Sequence, residues 1–520
     1  MNILLNNNYN SIVLKKSIGT NLNFNSKFKL ASYVIKYNTG NTVILYNTIS
    51  GLLLELLKDE YSFILSSTGN DIIEKGWRFL IDRYTFVPEN INDYDAVNTY
   101  LSTKHRYQTP VENNFDYIDK YVIFTTLDCN ARCFYCYEHG ASKIKMSSKI
   151  ATDTADFIIN EYNKTKTPIA ISWFGGEPLY NIEAIDLITD KLIEAGVPFY
   201  SDITTNAYLL TEDVIEKAAV KWNIKHAQIT LDGTKEKYNK TKNYIYKDKN
   251  AFNKVIDNIK TLLKHNIEVH IRLNADLYNV DDLTDLVKYL YEEVGNHPKL
   301  SVYTHELFED VSNVKHTEEE KEQLFKKINI LKRHLMYYNY MNDDLTVMKH
   351  CHCLTDGGHG IMILPDGKVG QCEHFYNKDY IGDIYTPKEN WNYDVVANWR
   401  ELYKKEEICK SCPLFAVCIP IKRCIGEHIC GELEKSYKID DYKIRMKNVY
   451  DKSLYTRNLN SSCDCNSKSN YSEVLSKIAN ELELANDYKS LTLLERIKLL
   501  FGFDVYRDPH KKLQDNFNGK

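Results

Sequence analysis

Apolar positions along this chain change period partway through. Residues 1–30 are polar, rich in asparagine and unpatterned, and read as a loose lead-in. ASYVIKY and TVILYNT, within residues 31–47, are β-rich runs joined by NTGN, a hairpin signal. SGLLLELLKDEY then predicts a short amphipathic helix. Ile72, Ile73, Trp77 and Leu80 predict another over roughly 70–80. Residues 1–110 thus read as a small α+β unit, and 98–116 as a polar linker. From residue 121 the pattern alternates. β-Branched runs begin near 121, 168, 199, 226, 267 and 300, with helical segments near 147–163, 182–195, 211–222, 250–265 and 281–294. Six such units predict a parallel sheet, open or closed into a partial barrel, with chemistry at the C-terminal strand ends. Residues 317–338 read as one long charged helix leading out of the barrel. Residues 345–435 are turn-rich with little periodicity, so metals would supply the missing core. Residues 436–520 read as a polar tail with one helix, its stripe Leu493, Leu494, Ile497, Leu500 and Phe501 packing on the rest of the protein.

Composition narrows the function classes. The 520 residues suggest three or four domains. A net charge of −5 gives no basic surplus for nucleic acid or an anionic membrane. No uninterrupted apolar run approaches the ~18–20 residues that span a bilayer. The opening MNILLNNNYNSIVLKK has no basic region followed by an apolar core, so a secretory signal is not expected. A cytoplasmic location follows, where thiols stay reduced and disulfides are not the use of 13 cysteines. Their distribution agrees. The first 128 residues hold none, three sit at Cys129, Cys133 and Cys136, and the next 214 again hold none. Eight fall between Cys351 and Cys430, and Cys463 and Cys465 follow. Clustering of this kind asks for at least two metal sites.

Three thiolates on the loop Cys129–Cys136 suit three irons of a [4Fe–4S] cube, leaving the fourth iron open. An open position marks a reactive rather than a structural metal. Zinc, held by the three cysteines with His139, is the competing assignment. Phe134, Tyr135 and Tyr137 offer a flat apolar surface to an aromatic ring such as a nucleobase. C-x3-C-x2-C after strand one of a βα barrel, with an aromatic residue before its last cysteine, resembles the radical S-adenosylmethionine (radical SAM) superfamily. Further motifs recur in order. Gly175-Gly176-Glu177-Pro178 resembles the segment that meets the methionine amino group, and Thr204-Thr205-Asn206 resembles the family's T-N-G with Ala207 replacing glycine. Thr230-Leu231-Asp232-Gly233 resembles S-L-D-G near the ribose, and Arg272 and Asn274 match positions that reach the cofactor. The resemblance implies S-adenosylmethionine held by Tyr135, Gly175, Gly176, Glu177, Pro178, Asn206, Thr230 and Arg272. The family's H-D-x-x-R reads here as Tyr238-Asn239-Lys240-Thr241-Lys242, a departure that leaves that motif's role open.

In the second region, ILPDGKVGQC predicts strand–turn–strand, and Cys409-Lys-Ser-Cys412 has the spacing of half a zinc ribbon. Eight thiolates match two iron–sulfur clusters better. The region resembles the SPASM domain, which holds two auxiliary [4Fe–4S] clusters. Family wiring implies Cys353, Cys372 and Cys424, with Cys351, for the first, and Cys409, Cys412, Cys418 and Cys430 for the second. After the fifth cysteine the family spacing is x3; here it is x5, and Cys463 and Cys465 read as a free pair on a loose tail, with the last ligand as their alternative role. Candidate bases at strand ends are Asp276 and Glu306.

The N-terminal hairpin with following helices resembles the PqqD-like, winged-helix-like module that binds the leader of a ribosomally made precursor peptide. The resemblances together imply an α/β fold with a partial (β/α)6 TIM-like barrel at 117–340, the recognition unit at 1–110 and a SPASM region at 345–435. They imply an oxidoreductase that forms a 5′-deoxyadenosyl radical and cross-links a precursor peptide by a thioether, carbon–carbon or carbon–oxygen bond. Its cofactors would be three clusters and S-adenosylmethionine, and its reductant a low-potential donor such as flavodoxin or ferredoxin. An anaerobic sulfatase-maturing (formylglycine-generating) enzyme and a non-enzymatic, zinc-stabilised peptide-binding protein are the alternatives.

Overall fold

The computed structural model describes residues 1–461 except 8, 108–114, 139, 141, 247–249, 308–314, 342–344, 349–353, 355–358, 376–377, 400–406 and 419–429. Cys351, Cys353, Cys424, Cys463 and Cys465, with His139 and the stripe at 493–501, lie outside the described residues. No helix among the described residues is long and apolar enough to cross a membrane.

The chain divides into two compact units. One comprises Met1–Asp116, Asp343–Gly360 and Trp391–Leu454. It is built on strands β1 (Asn2–Asn6), β2 (Phe28–Leu30), β3 (Val34–Asn38), β4 (Thr42–Asn47), β5 (Leu52–Leu57) and β6 (Phe86–Pro88). Four of them form an antiparallel sheet in the order β1-β5-β4-β3. The run expected to start a helix at Leu52 is instead a strand, and the helix begins only at Lys58. Leucine tolerates both states; here β5 is central, pairs on both sides, and its Glu55 accepts a hydrogen bond from the Asn2 amide at 2.8 Å. The expected lead-in supplies β1 and the helix Ser11–Ile18, whose Val13 and Leu14 enter the core. One sheet face carries Val43, Leu45 and Leu54 into a core with Ile64, Ile72, Leu80 and Phe415. The opposite face, with Ile35, Ile44, Tyr46 and Leu53, is covered by Leu414, Tyr442 and Met446. Tyr442 and Met446 belong to a helix, Glu432–Ser461, on ground that pattern alone reads as tail.

The other unit comprises Tyr117–Asn342, Ile361–Asn390 and Tyr455–Lys520. Its strands are β7 (Lys120–Thr126), β8 (Ile169–Gly175), β9 (Phe199–Thr205), β10 (Ile224–Leu231), β11 (Glu268–Ala275) and β12 (Leu300–Glu306). They pair in chain order, all in parallel. A hairpin, β13 (Gly360–Ile363) with β14 (Lys368–Gly370), followed by β15 (Gly382–Asp383), extends the sheet beyond β7. This is the expected partial barrel. Side chains alternate along each strand. On β8, Ile169, Ile171 and Trp173 are fully buried, while Phe174 faces the barrel interior. The helices bury one stripe each. Ser148–Thr165 buries Ala151, Thr154, Ala155 and Ile158, and Ala251–Lys264 buries Phe252, Val255, Ile256, Ile259 and Leu263. A helix not expected from the pattern, Lys235–Lys242, follows β10. The long helix Glu318–Tyr337 starts in a capping box of Thr317 and Glu320, and it buries Leu324, Ile328, Leu331 and Leu335.

Candidate functional site

A cavity of about 340 Å³ opens at the C-terminal ends of the barrel strands. Cys129, Cys133, Tyr135 and Cys136 form one wall, and Gly175, Gly176, Glu177, Thr204, Thr205 and Asn206 another. Gln228 and Thr230 from β10, with Arg272 and Asn274 from β11, point inward because they share the interior parity of their strands. All the expected S-adenosylmethionine contacts except Pro178 line this space. Pro178 instead opens the 3₁₀ turn Pro178–Asn181, and its carbonyl accepts the Thr125 hydroxyl at 2.9 Å. The candidate bases Asp276 and Glu306 do not line it; Asp276 is buried against His316 Nε2 at 2.7 Å.

Backbone geometry explains the glycines. Gly175 sits at φ +125°, and a Cβ there would stand 2.2 Å from the Thr126 carbonyl oxygen. A Cβ on Gly176 would stand 2.5 Å from that of Asp128. The two residues knit β8 onto the start of the cysteine loop, with Gly176 N–H donating to Thr126 O and Glu177 N–H to Asp128 O, both at 3.1 Å. Gly175→Ala therefore cannot keep this backbone. We expect it to lose at least ~2 kcal/mol in thermal unfolding, with a matching loss of nucleoside binding in calorimetry; an unchanged melting temperature would refute the packing argument.

Glu177 is fully buried and takes hydrogen bonds from Thr205 Oγ1 at 2.7 Å, Asn206 N at 2.8 Å and Leu179 N at 3.2 Å. Burial pushes its carboxyl up to about 7, and these bonds hold it from rising further. Asn206 Nδ2 also donates to Asn130 Oδ1 at 2.6 Å, tying the third strand end to the loop. Ala207, where the family has glycine, keeps the left-handed backbone at φ +61°.

The loop is latched from the far side by a segment the motifs did not cover. Arg132 N–H donates to Lys242 O at 2.8 Å and Ile245 N–H to Asn130 O at 2.9 Å. Lys242 Nζ pairs with Asp232 at 3.0 Å, and Tyr135 donates its hydroxyl to the same carboxylate at 2.6 Å. Lys242 and Asp232 are buried, with side chains 5% and 0% exposed. Lys242 stands at the last position of the family's H-D-x-x-R, which was the signal available in the sequence. Burial pushes the Lys242 ammonium down, but the charges of Asp232, Tyr135 and Cys133 more than offset this and hold it well above the ordinary lysine value. The other lining residues missed by pattern include Leu307, Phe174, Gln228, Glu373 and His374. The last two follow Cys372 directly, on the 3₁₀ turn Glu373–Phe375.

Cys129, Cys133 and Cys136 are half-buried in the cavity wall. Burial and the Glu177 charge push Cys129 up to about 12; burial and the Glu138 charge do the same for Cys136. Such thiols stay protonated until a cation replaces the proton.

In the other unit, Cys409, Cys412 and Cys418 lie on consecutive tight turns, with Cys412 N–H donating to Cys409 O and Cys418 N–H to Leu414 O, both at 3.1 Å. Burial raises the Cys430 thiol, the Lys438 ammonium lowers it, and the negative charges of Cys412 and Cys409 raise it. Cys372 lies apart from them in sequence, just after β14.

Residues 123–290 match the family model for the radical SAM superfamily. The chain carries a radical SAM domain. It is 32% identical over 177 residues to a GTP 3′,8-cyclase of Clostridium acetobutylicum, covering 33% of this chain and 50% of that protein. It is 28% identical over 154 residues to a cysteine-type anaerobic sulfatase-maturating enzyme of Clostridium novyi, covering 28% and 40%. The chain thus spans half or less of the length of these relatives. Among solved structures, Streptococcus suis SuiB bound to precursor peptide SuiA aligns over 78% of this chain and 99% of that one, at 16% identity and a TM-score of 0.45.

The radical SAM domain calls for an iron–sulfur cluster and S-adenosylmethionine, and the residues present fit both. Among the described residues, three ligating atoms come within 4.8 Å of one another only at His226, Glu268 and His270, so the loop's thiols are spread more widely than that. A tetrahedral zinc site needs sulfurs about 3.8 Å apart; a cube, whose thiolates sit on separate irons, needs the wider spacing. Beside them the glycine pair lines the same cavity, its backbone packed without Cβ atoms against the start of the cysteine loop. Asn274 Oδ1, buried in the cavity wall, has no hydrogen-bond partner among the described residues.

Proposed function

We propose that the chain is a peptide maturase that installs an intramolecular cross-link, a thioether, carbon–carbon or carbon–oxygen bond, in a ribosomally made precursor peptide. Residues 1–110 are the leader-recognition unit, 117–340 the catalytic barrel and 345–435 the SPASM region, with 436–520 following. Cys129, Cys133 and Cys136 hold the first cluster. Cys409, Cys412, Cys418 and Cys430 hold one auxiliary cluster, supported by the neighbouring charges of Cys430, Cys412 and Cys409. Cys372, with Cys351, Cys353 and Cys424, holds the other. When bound, the first cluster and S-adenosylmethionine supply a 5′-deoxyadenosyl radical. The chain's own residues do the positioning. Gly175 and Gly176 bring backbone close to the ligand, Glu177 offers a carboxylate to an ammonium, Arg272 offers a guanidinium to a carboxylate, and Asn206 and Thr230 offer polar groups to the ribose. A cytoplasmic low-potential donor such as flavodoxin or ferredoxin supplies the electron.

The observation that carries the peptide reading is the edge of the N-terminal sheet. β3 is an end strand. Its residues pair with β4 as Val34↔Asn47 through Asn38↔Val43, and Thr48 N–H donates to Tyr33 O while Thr39 N–H donates to Thr42 O. Tyr33, Ile35, Tyr37 and Thr39 therefore bond inward, and the N–H and C=O groups of Lys36 and Asn38 point outward, while the Val34 N–H donates to Ala31 O at 3.1 Å. An extended leader adds there as a further strand. Formylglycine formation on a sulfatase is the second reading, favoured by the Clostridium novyi relative; it needs no leader site. Deleting residues 1–110 would not separate the two, because their core includes Met348, Phe415 and Ala416. Lys36→Pro would. Lys36 is exposed, and proline there removes an outward N–H together with the contact of its ammonium 4.5 Å over the Tyr61 ring, a contact that Lys36→Ala removes alone. We expect at least roughly tenfold slower cross-linking of a leader-bearing precursor, read as loss of a hydrogen pair by mass spectrometry, with 5′-deoxyadenosine formation in the absence of peptide unchanged. Full-rate cross-linking by this variant would end the leader proposal.

A further inference from the structure

Below the cavity, the interior of the barrel stays polar. Residues alternate along a strand, so the interior position preceding Gln228 on β10 is His226, and those preceding Arg272 on β11 are His270 and Glu268. The parallel register sets His226 across from Glu268 and Gln228 across from His270. The side chains converge. His226 Nε2 lies 3.3 Å from Glu268 Oε2, His270 Nε2 lies 3.4 Å from Glu268 Oε1, and the ligating atoms all fall within 4.8 Å of one another.

We propose that His226, Glu268 and His270 form a zinc site that clips β10 to β11 at the end of the barrel away from the cysteine loop. Imidazole and carboxylate are zinc's ordinary nitrogen and oxygen donors. Ligand atoms at ~2.0–2.1 Å from a tetrahedral ion stand about 3.3 Å apart; each imidazole meets a different oxygen of Glu268 at 3.3 and 3.4 Å, so an ion needs only a small turn of the carboxylate to collect all three. His270 Nδ1 meets Ser301 Oγ at 2.6 Å, directly across in β12, which fixes the ring with Nε2 toward the site. Such an outer partner is the usual companion of a ligating histidine. The parallel register sets Asp202 of β9 across from His226, and its Oδ2 accepts the Ser172 hydroxyl at 2.9 Å. The side chains of His226 and Glu268 are 48% and 40% exposed, which leaves an entry path and a fourth position for water. Hydrogen bonding of one carboxylate between two imidazoles is the competing account, and it predicts no metal.

The test uses the cluster-loaded protein, passed over chelating resin and titrated anaerobically with Zn²⁺, with zinc and iron read in the same sample. The proposal expects about one zinc per chain beyond the iron sites, an affinity at least roughly tenfold weaker in His226→Gln and in Glu268→Gln, and about tenfold weaker in Ser301→Ala, each with full iron. Full iron shows that the barrel is intact. Zinc retained equally by His226→Gln and Glu268→Gln overturns the site, as does a wild-type protein with full iron that takes up no zinc.

Discussion

Replacing Cys133 by alanine should abolish formation of 5′-deoxyadenosine from S-adenosylmethionine and remove about four irons of the roughly twelve that the three proposed cubes would hold. Cys133 sits between Cys129 and Cys136 on the loop and lines the cavity beside Tyr135. Its removal leaves two thiols, too few to hold a cube that must also keep one iron open. The measurement is single-turnover cleavage with dithionite, alongside iron analysis. The thiols themselves make the effect large. Cys129 and Cys136 are pushed up to about 12 by burial and by the carboxylates of Glu177 and Glu138. Without the cationic cluster nothing draws their protons away at neutral pH. Persistent 5′-deoxyadenosine formation in the variant would remove the assignment of this loop.

Lys242→Met should unfold the radical SAM domain more easily by about 3–5 kcal/mol, because it strands the fully buried Asp232 carboxylate without its cation. In a scan this is a fall in melting temperature on the order of 10 °C. Lys242→Arg should recover most of it. The raised ammonium sets the pH window. A base held above its ordinary value adds stability that is fully present below the ordinary lysine range and lost only as pH rises through the folded value. The difference between wild type and Lys242→Met should therefore be constant across neutral pH and shrink only in alkali. A second readout separates this role from mere packing. Asp232 also accepts the Tyr135 hydroxyl beside the cluster loop, so Lys242→Met should shift the electron paramagnetic resonance signal of the first cluster. A melting temperature within about 2 °C of wild type would show that the pair is not needed.

Much of the barrel was legible along the chain. Six strands and the helices between them appear where period and β-branching place them, because each strand hides one face under a helix and each helix hides one stripe. The cysteine loop and the glycine pair were legible for the same local reason. Their spacing is imposed by a tight loop and by carbonyls 2.2–2.5 Å from any added Cβ. Leu52–Leu57 was not legible, since leucine suits helix and strand alike and its pairing with β1 and β4 decides. Nor was the pairing of Lys242 with Asp232, whose partners are ten positions apart and meet only when the helix Lys235–Lys242 turns back on the strand end.

By itself, then, the amino-acid sequence determined the alternation that builds the barrel and the residue types able to bind a cluster and a nucleoside. These depend on neighbours a few positions apart. The tertiary structure alone decided which polar groups share a space. It set Arg272 and Asn274 beside a loop well over a hundred residues earlier, and joined His226 to Glu268 and His270. The physical reason is strand register. Hydrogen-bonded pairing across a sheet is indifferent to distance along the chain, and a one-residue slip would turn each of these side chains to the opposite face.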